Sequence, residues 1–293
     1  MIFEEETIRK INRLTLVASQ VRKGMLKGER RSTKRGASIE FADYRNYTAG
    51  DDLRRLDWNV YARLDRPFIK LMEEQEDLAV HVLVDSSLSM DWGEGERNKY
   101  RYALHLAAAI ASIALNSGDR LAVTLLKPGR LPQGYGPVRG SGHFLQLLKF
   151  LENRAASGAT DLNRSLKDYA FSAGRPGLLF LISDLFSPAG YEAGISALYG
   201  RGYELVVLHV LAPDEIDPGL AGDLRLLDVE TGLALEASLD RGMLEGYRQR
   251  LSAWQNEIRL ACHKRGGRYL PIDTAEPWEK VLLQEMRSMG VVK

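Results

Sequence analysis

Two carboxylates and three hydroxyls stand where an α/β sheet would present them. Asp85, Ser87 and Ser89 follow an apolar run in LAVHVLVDSSLSM, Thr160 stands in SGATDL ahead of a helical pattern, and Asp184 ends the run LLFLISD. Alternation at 85, 87 and 89 turns those three side chains toward one point as the chain leaves a strand. Oxygen donors on separate loops suit a hard divalent cation, Mg²⁺ in the first place and Mn²⁺ or Ca²⁺ as alternatives. Each fragment also has a plainer reading. A serine-rich loop serves as a turn or helix cap, Thr160 as the N-cap of a helix beginning at Asp161, and a lone aspartate as a loop residue. Their joint occurrence in this order favours a weakly held ion with one coordination position open.

Bringing these fragments together requires strands whose carboxyl ends meet. Apolar runs at 78–84, 121–126, 178–182, 205–210 and 268–272 alternate with helical patterns at 100–116, 144–152, 162–172 and 191–199. That order predicts an α/β class, a doubly wound and mainly parallel sheet of Rossmann type with right-handed crossovers. Open sheets of this kind bind ligands outside the carboxyl ends of their strands. RLPQGYGPVRG reads as a hairpin edge, and the alternation around ETG predicts an inserted hairpin near 222–238. Helices are expected at 240–264 and 277–289. A boundary near Asp77 separates this domain, 78–293, from an N-terminal accessory region, 1–77, which reads as a helix over 6–26, a basic linker and a segment dense in aromatic and charged residues.

Composition removes several classes. Charged residues make up 27% of the chain and the formal net charge is +1, which gives no general attraction to nucleic acid or membrane. The basic run at 22–35 has no interleaved aromatics to stack bases and reads as a solvated linker. One cysteine, Cys262, excludes an internal disulfide and a thiolate zinc cluster, so a reducing cytoplasm is the expected location. No signal-peptide pattern opens the chain, and no apolar window reaches the length of a membrane span.

Enzymatic constellations are poorly supplied. A Mg²⁺-dependent phosphoester hydrolase with Asp85 as nucleophile is the alternative reading, but it needs a second acid two residues on, where Ser87 stands. Neither a phosphate-binding G-x-x-x-x-G-K-[ST] loop nor G-x-S-x-G occurs. His81 and His209 lie inside strand patterns, His105 lies on a helix, and His143 in GSGHF has no evident partner. No catalytic set is therefore assigned.

The arrangement Asp85-x-Ser87-x-Ser89, then Thr160, then Asp184 resembles the metal-ion-dependent adhesion site of von Willebrand factor type A domains. The preceding stretch, FADYRNYTAGDDLRRLDWNVYARLDRPFIKLMEEQEDLAVHVLVDSSLSM, resembles the signature of the bacterial domain-of-unknown-function 58 family. That resemblance implies a von Willebrand factor A-like domain working beside a MoxR-type AAA+ ATPase. It implies that Ser87, Ser89 and Thr160 bind the ion directly or nearly so, with Asp85 and Asp184 acting directly or through water. The remaining position would go to an acidic side chain of a protein partner. The expected function is then a cytoplasmic adaptor in the assembly or maturation of client proteins. Arg54, Asp57, Trp58 and Arg63, in the signature, are the candidate partner surface, since Arg and Trp dominate binding hot spots.

Overall fold

A computed structural model describes residues 10–11, 13–18, 39–48, 51–52, 54, 56–74, 78–127, 133–219, 222–228 and 232–293. The basic run at 22–35 lies outside the described residues. The chain divides into two compact units, Lys23–Asp77 on its own and Met1–Arg22 together with Leu78–Lys293.

In the smaller unit, β1 (Ile39–Asn46) and β2 (Phe68–Glu74) pair antiparallel, and α1 (Trp58–Leu64) lies between them in sequence. The Asp51 carboxylate accepts from Thr48 N–H at 2.9 Å and pairs with Arg45 at 2.7 Å. Those contacts, the Thr48 N–H first and the Arg45 guanidinium next, hold the Asp51 carboxyl down at about 2.

The larger unit is built on β3 (Ala79–Asp85), β4 (Arg120–Leu126), β5 (Gln133–Arg139), β6 (Leu178–Ser183), β7 (Glu204–Leu211) and a late strand, β10 (Arg268–Asp273). Between β7 and β10 comes the expected hairpin, β8 (Gly222–Leu227) with β9 (Ala234–Leu239), as a separate antiparallel pair. The main sheet runs β10-β7-β6-β3-β4-β5, parallel except for the edge strand β5. Strand residues alternate between two cores, as a sheet covered on both faces requires. Val80, Val82 and Val84 face one core with Phe180 and Ile182, while Leu83, Leu179 and Leu181 face the other. The first core is closed by α2 (Lys99–Asn116), α3 (Phe144–Glu152) and the C-terminal helical segment Trp278–Ser288. The second is closed by α4 (Leu162–Ser172), α5 (Glu192–Gly200) and α7 (Arg241–His263); the short α6 (Pro213–Ile216) follows β7. Gly177 permits the close approach of β6 to β3, because a Cβ there would strike the carbonyl oxygen of Ala79.

Strand order reverses at β3: the chain moves outward to β4 and β5, then returns on the other side of β3 as β6 and continues to β7 and β10. The carboxyl ends of β3 and β6 therefore flank the crevice where such sheets bind ligands. Asp85 is the last residue of β3, and Asp184 immediately follows β6.

The N-terminus differs from the helix expected over 6–26. Lys10 and Ile11 are helical, but residue 13 is in a turn and residues 14–18 are extended; 6–9, 12 and 19–26 lie outside the described residues. Leu14, Leu16 and Ala18 alternate into the first core, and the backbone pairs with the chain end through Thr15 N–H to Lys293 O and Val17 N–H to Val291 O. This segment thus belongs with the larger unit rather than with the region before Asp77. The final helix also departs from uniformity, with Val281–Glu285 forming a π-helical turn between two short α-turns.

Candidate functional site

Asp85 closes β3 fully out of solvent, and its two carboxylate oxygens have different partners. Oδ1 accepts the backbone N–H of Ser87 at 3.0 Å, and Oδ2 accepts the Ser183 hydroxyl at 2.7 Å from the end of the neighbouring strand. The first contact folds the chain back on itself, so that the hydroxyls of Ser87 and Ser89 come within 3.0 Å of each other at a 3₁₀ turn, Leu88–Met90. Ser86 points away and donates to Leu126 O at 2.6 Å, pinning the turn to β4.

The Thr160 loop is attached to this turn on one side and to the Asp184 loop on the other. Leu88 N–H donates to Gly158 O at 2.7 Å and Ser157 N–H to Ser86 O at 2.8 Å, while the Ser187 hydroxyl donates to Thr160 O at 3.2 Å. Thr160 does not cap the following helix. Asp161 does so, accepting Arg164 N–H at 2.9 Å. The Thr160 hydroxyl oxygen is buried and has no hydrogen-bond partner among the described residues. A buried hydroxyl in that state costs roughly 1–3 kcal/mol.

Asp184 is also fully buried. Its Oδ1 accepts Phe186 N–H at 3.0 Å, its Oδ2 lies 2.7 Å from Lys99 Nζ, and its backbone carbonyl meets His209 Nε2 at 3.0 Å. Lys99, at the first position of α2, has no exposure and also pairs with Glu215 of α6 at 2.7 Å. Leu185, next in sequence, adopts a left-handed backbone with φ of 59°, and the Ser183 hydroxyl receives its N–H at 2.8 Å. Such backbone strain in a non-glycine residue concentrates at functional sites.

Burial, and after it the charge of Asp184, push the Asp85 carboxyl up to about 6, against the hydrogen bonds from Ser183 and Ser87. Burial likewise raises Glu215, opposed mainly by Lys99, and lowers the His209 imidazole to about 4. The edge thus carries acidic groups, Asp85 and Glu215, whose charged forms burial disfavours. No group of three or more His, Cys, Asp or Glu side chains that could hold an ion occurs among the described residues. An ion here would have to take hydroxyls as well as carboxylates.

All five residues singled out in the sequence, Asp85, Ser87, Ser89, Thr160 and Asp184, therefore gather on three interlinked loops at one sheet edge. Lys99, Ser183, Glu215 and His209 belong to the same edge without having been anticipated. Lys99 alone left a trace, as a lysine in register with the buried face of α2 formed by Ala103, Leu106 and Ile110. The other histidines sit apart: His81 bonds Tyr169 at 2.7 Å, His105 stacks on Trp278, and His143 meets Tyr135.

In the signature segment, Arg54, Trp58 and Arg63 are exposed, whereas Asp57 is buried and caps α1 by accepting Asn59 N–H at 3.0 Å and Val60 N–H at 3.3 Å. Asp57 is thus taken up in the cap of α1. Trp58, 62% exposed, meets Tyr61 edge-on.

These features define an α/β protein with a mainly parallel six-stranded sheet and an oxygen-rich edge at the crevice between β3 and β6. The chain belongs to the family described as "Protein of unknown function DUF58", whose model matches residues 43–257. It is 27% identical over 269 residues to the uncharacterised protein Mb1516 of Mycobacterium bovis, covering 90% of this chain and 84% of that one. Among solved structures it is similar to the conserved hypothetical protein BatB of Bacteroides thetaiotaomicron, with 16% identity, a TM-score of 0.44 and coverage of 73% of this chain and 98% of that one. It is also similar to the pilus adhesin SpaC of Lactobacillus rhamnosus GG in its open conformation, with 12% identity, a TM-score of 0.46 and coverage of 75% and 31%. Among the described residues, no helix is long and apolar enough to cross a membrane.

Proposed function

We propose that this chain is a cytoplasmic, metal-dependent protein-interaction adaptor whose larger unit is a von Willebrand factor A-like domain. Its adhesion-type site would hold Mg²⁺, or Mn²⁺ or Ca²⁺ in its place, through the hydroxyls of Ser87, Ser89 and Thr160, with Asp85 and Asp184 acting directly or through water. The ion would supply a Lewis-acidic centre that a carboxylate from a partner protein completes. The observation that carries this reading is the buried, unpartnered Thr160 hydroxyl on a loop tied to both the Asp85 turn and the Asp184 loop. Residues beside the site suit docking. Trp92, on the loop after Ser89, and Phe186, two residues past Asp184, are 49% and 39% exposed, and Phe186 stacks on Trp254 at 5.7 Å.

The family resemblance makes the partner a MoxR-type AAA+ ATPase, a client protein offering an acidic residue, or both. Capture of that ATPase on the immobilised full chain tests the idea. Binding is expected with Mg²⁺ or Mn²⁺, and is expected to be lost with chelator, with Asp85→Ala and with the pair Ser87→Ala and Ser89→Ala. Capture unchanged by chelator and by these substitutions, in variants that keep the fold, would refute it.

A further inference from the structure

Lys99 has no part in the metal bridge described above, yet its ammonium is the charged group that Asp184 touches. It is held from three sides with no exposure to solvent. Asp184 Oδ2 and Glu215 Oε1 each lie at 2.7 Å, and the Phe186 ring lies 5.2 Å away. Glu215 is itself fixed, because its other oxygen accepts Ala212 N–H at 2.8 Å. The ammonium therefore cannot swing aside without breaking a buried network. Both oxygens of Asp184 already have donors, Lys99 on one and Phe186 N–H on the other. A dication approaching Oδ2 would meet the positive charge of Lys99 at short range, in surroundings that screen it poorly.

We propose that Lys99 sets the strength of the ion site: as the resident counter-cation of Asp184, it keeps that carboxylate out of the ion's inner shell and leaves the site short of negative charge. Among the described residues, the Asp85 carboxylate takes its hydrogen bonds from Ser87 N–H and the Ser183 hydroxyl and from no buried cation. The ion is held loosely by the chain alone and firmly only when an external acidic side chain joins it. Lys99 is thus a positioning residue that makes ion retention depend on the partner, an inference that rests on the metal-site reading above. A lysine present only to tie α2 and α6 to the end of β6 would act differently: its removal could loosen the site but not tighten it.

The sign of the effect is the test. The full chain is titrated with Mn²⁺, the unbound ion being followed by electron paramagnetic resonance, in wild type, Lys99→Met with Glu215→Gln, that pair with Asp85→Ala added, Glu215→Gln alone, and Asp85→Ala. The double variant removes the ammonium together with the carboxylate it would leave unpaired, and its fold is checked by circular dichroism. We expect the double variant to bind Mn²⁺ about tenfold tighter than wild type or better, and to lose that binding when Asp85→Ala is added. Glu215→Gln alone keeps Lys99 and commits its charge to Asp184, so Mn²⁺ should bind severalfold more weakly. A folded double variant with equal or weaker affinity, or an unaltered Glu215→Gln, overturns the role of Lys99 while Asp85-dependent binding by wild type leaves the metal site standing. Absence of Asp85-dependent Mn²⁺ binding in every chain overturns both.

Discussion

Ser183 and Asp85 join the ends of two adjacent parallel strands, the hydroxyl of one donating to the carboxylate of the other at 2.7 Å, both out of solvent. The same hydroxyl accepts Leu185 N–H at 2.8 Å and so also supports the left-handed turn after Asp184. Ser183→Ala removes both contacts at once. The expected loss is about 2 kcal/mol of unfolding free energy, read from urea denaturation with chelator present.

Thr160→Val separates folding from binding. The hydroxyl has no partner among the described residues, so replacing it with a methyl group of similar shape removes a buried polar atom and breaks no hydrogen bond. Unfolding free energy is expected to stay the same or rise by up to about 1 kcal/mol. Mn²⁺ affinity and chelator-sensitive partner capture are expected to fall. A destabilised Thr160→Val variant would mean that the hydroxyl serves the fold instead.

The pH dependence of stability contains opposed contributions, the lowered histidines His81, His105 and His209 on one side and the raised carboxyls of Asp85 and Glu215 on the other. His209 is lowered from 6.5 to about 4, so between those values the unfolded chain takes up a proton that the folded chain refuses, and acid destabilises. Asp85 is raised from 3.8 to about 6, so there the folded chain is the better proton acceptor and acid stabilises. Over pH 4 to 6 the His209 and Asp85 contributions oppose each other in wild type. Asp85→Asn removes the Asp85 contribution, and its stability, measured by urea unfolding in chelator, is expected to fall more steeply than that of wild type on acidification from pH 6 to 4.

Asp57 and Trp58 are neighbours with different duties. Asp57→Ala deletes the cap of α1 and is expected to cost about 1 kcal/mol in thermal or urea unfolding. Trp58→Ala removes a largely exposed ring and is expected to change stability by no more than about 0.5 kcal/mol. A partner that uses this face would register the loss of Trp58 as weaker capture without any change in the melt.

The Asp85 turn was legible because two local signals coincide there, an apolar run covered on both faces and oxygen-bearing side chains at every second position after it. Asp184 and Thr160 followed from the rule that open sheets bind at their carboxyl edges. Lys99 was not legible as a member of the site, since its partners lie 85 and 116 residues away and nothing local marks the pairing. The N-terminal segment misled for a related reason. Ile11 and Leu14 fit a helical period, Leu14, Leu16 and Ala18 fit a strand period, and the choice between them is made by residues 291–293 at the far end of the chain. Asp57 likewise offered a charge near aromatics, but the two backbone N–H groups that claim it become visible only once α1 is folded.

The pairing of Leu16 with Val292 ties the two ends of the larger unit to each other. Trimming the protein to begin at Leu78 would strip Ile11, Leu14 and Leu16 from the first core and uncover the valines at the tail, favouring aggregation. A version of the larger unit that keeps its core therefore needs residues 10–18 as well as 78–293. A tag after Lys293 needs a spacer long enough to clear the adjoining backbone.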